Sequence, residues 1–468
     1  MQGEHRERVA GVGLALIPVI FLVLALFISI VILDQPPHIP LILAAAVAAG
    51  VAAHLKYSWK EIQEGMVQGI NLAMGAILIL MVVGTMIGTW ISGGIVPAMI
   101  FYGLKVLSPG IFLAATMIIC SVVSLGTGSS WSTAGTVGVA LVGVGQGLGI
   151  PAAMVAGAIV SGAYFGDKMS PLSDTTNLAP AVAGTDLFSH IRHMVYTVTP
   201  GFVVALGLFA FLGKRFSDGV LDSQNIETML STMREHFLIH PILLLPPLLV
   251  IVMVVMRIPP LPALLGGTAL GGFFAVTAQS RSLAEVLSAA QLGHISETGV
   301  AMVDDLLTRG GLMSMMETVA LIICALSFGG IMERTGMLRV LAGSLLKYVR
   351  RTGTLIATTI FSCIGMNIIA ADQYISIVVP GRMFKSAFDA KGLHPKNLSR
   401  VLEDSGTLTS PLIPWNSCGA FMGATLGVSP LVYLPYAFLN LIVPVVSVFY
   451  GYTGITIEKL PEPEASSE

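Results

Sequence analysis

Residues 166–177 read Gly-Asp-Lys-Met-Ser-Pro-Leu-Ser-Asp-Thr-Thr-Asn, two acids and a base among hydroxyls and amides. A carboxylate such as Asp174, with Thr175, Thr176, Ser173 and Asn177 close by, offers the hard oxygens that a sodium ion prefers. A carboxyl in a desolvated place can also hold a proton. Cation and proton then compete for one group, which is the simplest chemistry of exchange. Asp167 adjoins Lys168, so a local ion pair is the plain alternative for those two, with Lys168 also a contact for an anion.

The segment returns, altered, as Gly406-Thr407-Leu408-Thr409-Ser410-Pro411-Leu412-Ile413-Pro414-Trp415-Asn416-Ser417. Counted along the chain, Pro414 stands where the first copy has Asp174. The expected sodium ligands are Asp174, Thr175, Asn416 and Ser417, with Asp174 facing Asn416 and Ser417 near the bilayer midplane. Two further polar breaks follow long apolar runs. Gly126 to Thr133 includes Ser132 and Thr133, and Met366 to Gln373 includes Asp372. Unwound backbone of this kind is tolerated at membrane depth only where protein or a water-filled cavity surrounds it. Ionisable groups at that depth mark ion, proton or substrate paths. Asp174 is therefore the first candidate for the coupling acid, then Asp372 and Asp167. Glu317, Glu403 and Asp404 are candidates for proton-linked or gating roles. The bland reading of the hydroxyls is that they satisfy broken backbone.

These residues need positioning elements, and composition names their class. The chain has 468 residues, 54% of them hydrophobic and 11% charged. Soluble domains carry roughly 25% charged residues. Apolar runs of about 20 residues, enough to span a bilayer, begin at Leu14 and recur to about 431–452. With shorter polar-spotted runs, about 11 to 13 membrane segments are expected. Arg6 and Arg8 precede a full-length span and no small-residue cleavage site follows promptly, so the start reads as a cytoplasmic end rather than a removable signal. The four cysteines are scattered and read as small buried hydrophobes. No metal-ligand cluster, Gly-x-Ser-x-Gly elbow or phosphate loop suggests an enzyme or a cofactor.

Self-similarity organises the chain. Pro36-Pro37-His38-Ile39-Pro40 resembles Pro259-Pro260-Leu261-Pro262, and Phe112 to Thr116 resembles Leu355 to Thr359. Together with the motif pair, these predict two repeats of about five to six membrane segments each: residues 1–213 and 238–455. A polar linker at 214–237 joins them, an insertion lies near 293–311 in the second copy, and a polar tail runs over 456–468. Basic residues, Arg6 and Arg8 in one copy and Lys347, Arg350 and Arg351 in the other, crowd non-equivalent loops. Inverted topology produces that bias. The predicted fold is an all-α polytopic membrane protein of two inverted repeats, with broken helices or re-entrant hairpins at the midplane. Trp59-Lys60-Glu61 and Leu283-Ala284-Glu285 open amphipathic stretches read as interfacial arms, and His190 and His193 read as interfacial too.

Gly166 to Ala179, with Gly126 to Trp131 and Ser410 to Asn416, resembles the signature of NhaC-type sodium/proton antiporters of the ion-transporter superfamily. The resemblance covers nearly the whole chain. It implies a multi-pass exchanger of a bacterial or archaeal cytoplasmic membrane that moves Na+, with Li+ as a second cation, against H+ by alternating access. It also implies an elevator-like homodimer. Some members are similar to malate/lactate exchangers, so a Na+-coupled organic-acid exchanger taking a small dicarboxylate or lactate is the alternative. An ion channel is the rival from another class. The partners expected are the lipid bilayer and the transported ions, with no nucleic acid and no cofactor. No Arg lies deep within the apolar runs, which favours plain cation/proton exchange.

Overall fold

Apolar segments that must satisfy every backbone N–H and C=O internally fold as helices, and among the described residues there is no strand. The computed structural model describes residues 10–216, 223–346 and 349–460. Arg6, Arg8, Lys347, residues 217–222 of the expected linker and residues 461–468 of the expected tail lie outside the described residues. Seven described helices are long and apolar enough to cross a membrane, or up to nine if each of two sharply bent pairs is one span. The sequence suggested more segments because several apolar helices, such as His38–His54 and Ile95–Val106, stop short of full length. This is an all-helical, multi-pass membrane protein.

The element order of the first half recurs in the second. His38–His54, Trp59–Leu72, Met74–Ser92 and Ile95–Val106 are echoed by Pro260–Thr277, Leu283–Leu292, Met316–Arg334 and Met337–Leu346. Pro109–Thr127 is echoed by Thr352–Ile369, and Asp174–Ala183 by Ser417–Leu426. Local chemistry repeats as well. Ser58 with Glu61, and Ser282 with Glu285, form matching capping boxes, each tying up two free N–H groups of a helix start.

Packing crosses between the halves. Met74–Ser92 lies against Pro260–Thr277, and Met316–Arg334 against His38–His54. The two amphipathic stretches do the same and are not loose arms. Trp59–Leu72 packs on Met316–Arg334, and Leu283–Leu292 on Met74–Ser92. Small residues permit this. A Cβ on Gly69 would come within 2.4 Å of the Leu326 carbonyl oxygen, and one on Gly88 within 2.0 Å of that of Ala289. Close backbone approach is the general basis of helix association in lipid, where apolar surface gains little from leaving a neighbour.

Two connecting segments contribute to the core. The described part of the linker carries a helix, Ser223–His236, whose Met229 and Met233 are buried in the main core. The insertion holds the short Ala301–Leu307 helix, with Val303, Leu306 and Leu307 in the same core. Asp304 ties its loop, accepting hydrogen bonds from Ser296 Oγ (2.8 Å) and from Thr298 N (2.7 Å) and Oγ1 (2.8 Å).

Candidate functional site

The motif helix is held by close contact. Gly162 and Gly166 of Ala152–Met169 lie against Met117 and Ser121 of Pro109–Thr127. The Ser124 hydroxyl donates to the Ala163 carbonyl at 2.6 Å. This seats Asp167 at the broken end of Pro109–Thr127. There Gly128 takes a left-handed φ of 67° and Ser129 caps the short Ser130–Thr133 helix. Ser130 N and Oγ both donate to Asp167 Oδ2, at 3.1 and 2.6 Å, while Asp167 Oδ1 has no hydrogen-bond partner.

The second half builds the matching break with different residues. Thr352–Ile369 ends at Ala370, Ala371 adopts φ 56°, and Asp372 caps Gln373–Ala390 by accepting from Ile375 N at 3.0 Å. A non-glycine residue in this conformation is strained, and such strain gathers at functional sites. Ser417 N donates to the Ala371 carbonyl at 2.9 Å, locking the start of Ser417–Leu426 to the break.

The two breaks face one cavity of about 530 Å³. Its walls include Asp167, Asp174, Thr175, Asp372 and Ser417, five of the residues singled out in the sequence. Ser130, Gln373, Tyr374, Cys418 and Arg257 join them. Asp174 Oδ1 accepts from Thr175 N at 2.8 Å, and Oδ2 accepts from the Tyr374 hydroxyl across the two halves. Gln373 Oε1 accepts from Cys418 Sγ at 2.6 Å and from Ser410 Oγ at 3.3 Å. Trp131 stacks on Phe421 at 4.0 Å between centroids. Carboxylates, hydroxyls, an amide and a guanidinium therefore share one partly open chamber.

Other expected site residues support the walls. Ser173 caps Asp174–Ala183, accepting from Thr176 N at 3.4 Å. Thr176 Oγ1 donates to the carbonyls of Asp167 (3.2 Å) and Lys168 (3.0 Å), and Asn177 Nδ2 donates to those of Pro171 (2.9 Å) and Ser173 (2.6 Å). Asn416 caps Ser417–Leu426 and donates to Asn367, so it stands behind Ser417 rather than beside Asp174. Ser132 and Thr133 are buried outside the lining. Glu317 is exposed in the first turn of Met316–Arg334, where a negative charge suits the helix dipole.

The local pairing of Asp167 with Lys168 gives way to a longer one. Lys168 Nζ donates to Asp404 Oδ1 at 2.5 Å, and both side chains are fully buried. Thr197 Oγ1 donates to the same oxygen at 3.0 Å. His190 and His193 are buried rather than interfacial, meeting Ser399 Oγ at 2.8 Å and Asn397 Oδ1 at 3.2 Å. Spacing of three puts both on the helix face that packs on Pro395–Leu402.

The caps also correct the alignment of the copies. Ser173 and Asn416 are equivalent N-caps, so Ser417, not Pro414, stands opposite Asp174. Ile413-Pro414-Trp415 is extra backbone in the second copy. Likewise Ser129 corresponds to Asp372, each being the first cap after a left-handed residue. Each half thus contributes one capping-region acid where the other half is neutral. Tyr374, Ser130 and Gln373 went unnoticed because they differ between copies and only cap alignment pairs them. Arg257 lies in the turn before Pro259-Pro260, outside the apolar runs, and only the fold brings it to the chamber.

A family model described as the Na+/H+ antiporter family matches residues 162–455. The chain belongs to that family. The match opens four residues before Gly166 and takes in both broken motifs and the second half. Members of the family similar to this chain include the Na+/H+ antiporter NhaC of Alkalihalophilus pseudofirmus, 41% identical over 454 residues and covering 97% of this chain and 98% of that one. The malate-2H+/Na+-lactate antiporter of Bacillus subtilis is 39% identical over 440 residues, 93% and 94% of the two chains. The arginine/ornithine antiporter ArcD of Halobacterium salinarum is 37% identical over 465 residues, 99% and 96%.

Proposed function

We propose that this chain exchanges Na+ for H+ across the cytoplasmic membrane by alternating access, with Li+ as a second cation. The observation that carries the reading is the convergence of Asp167, Asp174 and Asp372 on one chamber bounded by both helix breaks. Asp174 binds the cation, with Thr175 and Ser417 hydroxyls as further oxygens and Asn416 ordering the Ser417 helix start. A proton neutralises the same carboxylate in the return step, so one group cannot carry both at once. Asp372 supplies the second charge from the other half. The repeated element order and crosswise packing suit two inverted repeats, over 1–213 and 238–455, that give alternating access to this site. A homodimer in a bacterial or archaeal membrane, working without an organic cofactor, completes the proposal.

A second reading rests on Arg257 and the chamber's size. About 530 Å³ lies in the range of small-molecule sites, and a guanidinium on the wall is a carboxylate partner. A small dicarboxylate or lactate would then travel with or against the cation. The deciding experiment follows collapse of a pH gradient in everted vesicles on adding Na+, Li+ or K+, with and without malate or lactate. Response to Na+ alone, abolished in Asp174→Asn, is the expected outcome. An absolute need for the organic acid makes the second reading correct. Cation flux uncoupled from any proton gradient would instead make the chain a channel.

A further inference from the structure

Two short helices bring the proposed cation oxygens to the chamber, and both end in the same way. Asp174–Ala183 presents Asp174 and Thr175 from its first turn, and Ser417–Leu426 presents Ser417. Each runs for 10 residues, about 15 Å along its axis. Each then stops at a left-handed glycine, Gly184 at φ 89° and Gly427 at φ 69°. The Pro180 carbonyl accepts from Gly184 N at 2.8 Å and from Thr185 N at 3.0 Å, and the Gly423 carbonyl accepts from Gly427 N and, at 3.2 Å, from Val428 N. The last carbonyls of such a helix still lack intrahelical partners, and the negative end of its dipole lies there.

A cation from elsewhere in the chain stands over each of these outer ends. A Cβ on Gly184 would lie 2.7 Å from Lys385 Nζ. One on Gly427 would lie 3.3, 3.4 and 3.5 Å from Nη2, Cζ and Nη1 of Arg309, so that guanidinium lies broadside to the glycine. Among the described residues neither cation forms an ion pair or a side-chain hydrogen bond, so neither charge is spent on a carboxylate. Rigid backbone delivers both. Lys385 belongs to Gln373–Ala390, which packs along Asp174–Ala183. On that helix Tyr374, Gly381 and Lys385 follow one another at intervals of seven and four residues, which places them on one face. Tyr374 bonds Asp174, a Cβ on Gly381 would lie 2.5 Å from Val182 Cγ1, and Lys385 reaches Gly184. Tyr374 to Lys385 spans about 16 Å, close to the length of the short helix it follows. One helix therefore grips the other at both ends. Arg309 is fixed by the insertion. Its carbonyl accepts from His294 N at 3.0 Å, Gly311 N donates to the Gly84 carbonyl at 2.7 Å, and a Cβ on Gly310 would collide with Gly88 N. The near end of its short helix is tied by the bond from Ser417 N to the Ala371 carbonyl.

We propose that Lys385 and Arg309 are positioning residues for cation binding, Lys385 acting on Asp174 and Thr175 and Arg309 on Ser417, each through the short helix whose outer end it holds. A cation at the C-terminal end of a partly buried helix stabilises that helix and its dipole. A helix held at both ends keeps its first turn in place, and the first turn is where the ligands sit. The two cations are unrelated in sequence, one on a long helix and one in the insertion of the second half. Their equivalence lies in the two caps they cover.

The proposal rests on the exchange reading, and the test separates the two. Na+-driven proton movement is followed in proteoliposomes with a trapped pH dye over a range of Na+ concentrations. Lys385→Met and Arg309→Met keep an unbranched stem and remove the charge. Each should raise the Na+ concentration for half-maximal response about fivefold, with the maximal rate within about twofold of wild type. The double variant should show a rise of about 25-fold, because the two short helices are separate. Lys385→Arg and Arg309→Lys restore the charge and should return the value to within about twofold of wild type. An unchanged half-maximal concentration in the Met variants, charge-retaining variants as impaired as the Met ones, or a fall in maximal rate alone overturns the proposal. If a Met variant does not purify monodisperse, the Gln variant at that position is measured against the same limits. A wild-type protein with no Na+-driven proton movement overturns the exchange reading itself.

Discussion

Replacing Gly166 by Ala tests how packing sets the chemistry. A Cβ there would sit 2.4 Å from Leu125 N and from the Ser121 carbonyl oxygen, and 2.6 Å from Ser124 Cβ. Two of these obstacles are backbone and cannot swing aside. Ordinary contact begins near 3.4 Å, so the two helices must part by about 1 Å, at an overpacking cost of about 1–3 kcal/mol. Asp167 is the next residue, and its bond to Ser130 Oγ at 2.6 Å spans the parting helices' ends. A misplacement of about 1 Å at a reacting group costs on the order of a hundredfold in rate. Gly166→Ala should therefore lose several degrees of thermal stability in detergent. Na+-dependent proton movement per folded molecule should fall about a hundredfold. The control is Gly207→Ala, on an open helix face where a Cβ meets nothing within 4 Å. Full exchange by a folded Gly166→Ala protein would refute the link between this contact and the position of Asp167.

Four shorter tests follow. Asp372→Asn keeps a good N-cap, since Asn and Asp cap almost equally. It should leave thermal stability within about 0.5 kcal/mol while abolishing exchange, and retained exchange would remove Asp372 from the site. Tyr374→Phe deletes the hydroxyl that holds Asp174 Oδ2 and should raise the Na+ concentration for half-maximal response about tenfold, as loss of a charge-assisted bond of about 1.5 kcal/mol would; an unchanged value argues against a positioning role. Ala371→Gly relieves a left-handed alanine and should raise stability by about 1 kcal/mol, read as an upward shift of the unfolding temperature, with exchange intact. Lys168→Met strips Asp404 of its closest cation. It should cost about 3–5 kcal/mol, as breaking a buried pair does, seen as poor recovery of monodisperse protein; normal stability would mean the pair is dispensable.

Much of the site was legible because lipid makes polarity conspicuous. In a chain 11% charged, Asp167, Asp174 and Asp372 stand out at the ends of apolar runs, and the repeated Ser-Pro-Leu shows that two breaks belong together. Residues with a conversational role between the halves were hidden. Tyr374 is one more aromatic in sequence, and Arg257 one more helix-end cation. The uncharged polar side chains divided along a line no spacing reveals: the Thr175 and Ser417 hydroxyls reached the chamber, whereas the Ser173 and Thr176 hydroxyls and the Asn177 amide bond to backbone.

Composition and pattern alone determined the solvent, the helical class and the family, since each depends on hydrophobicity along the chain or on a contiguous motif. Only the tertiary structure decided partnership. Lys168 turned from its neighbour Asp167 to Asp404, 236 residues away, and the aligned N-caps set Asp174 against Ser417. The physical reason is that a buried charge is stabilised by whatever opposite charge or donor the packing brings within about 3 Å. Packing here runs crosswise between halves, a relation that adjacency in sequence does not encode.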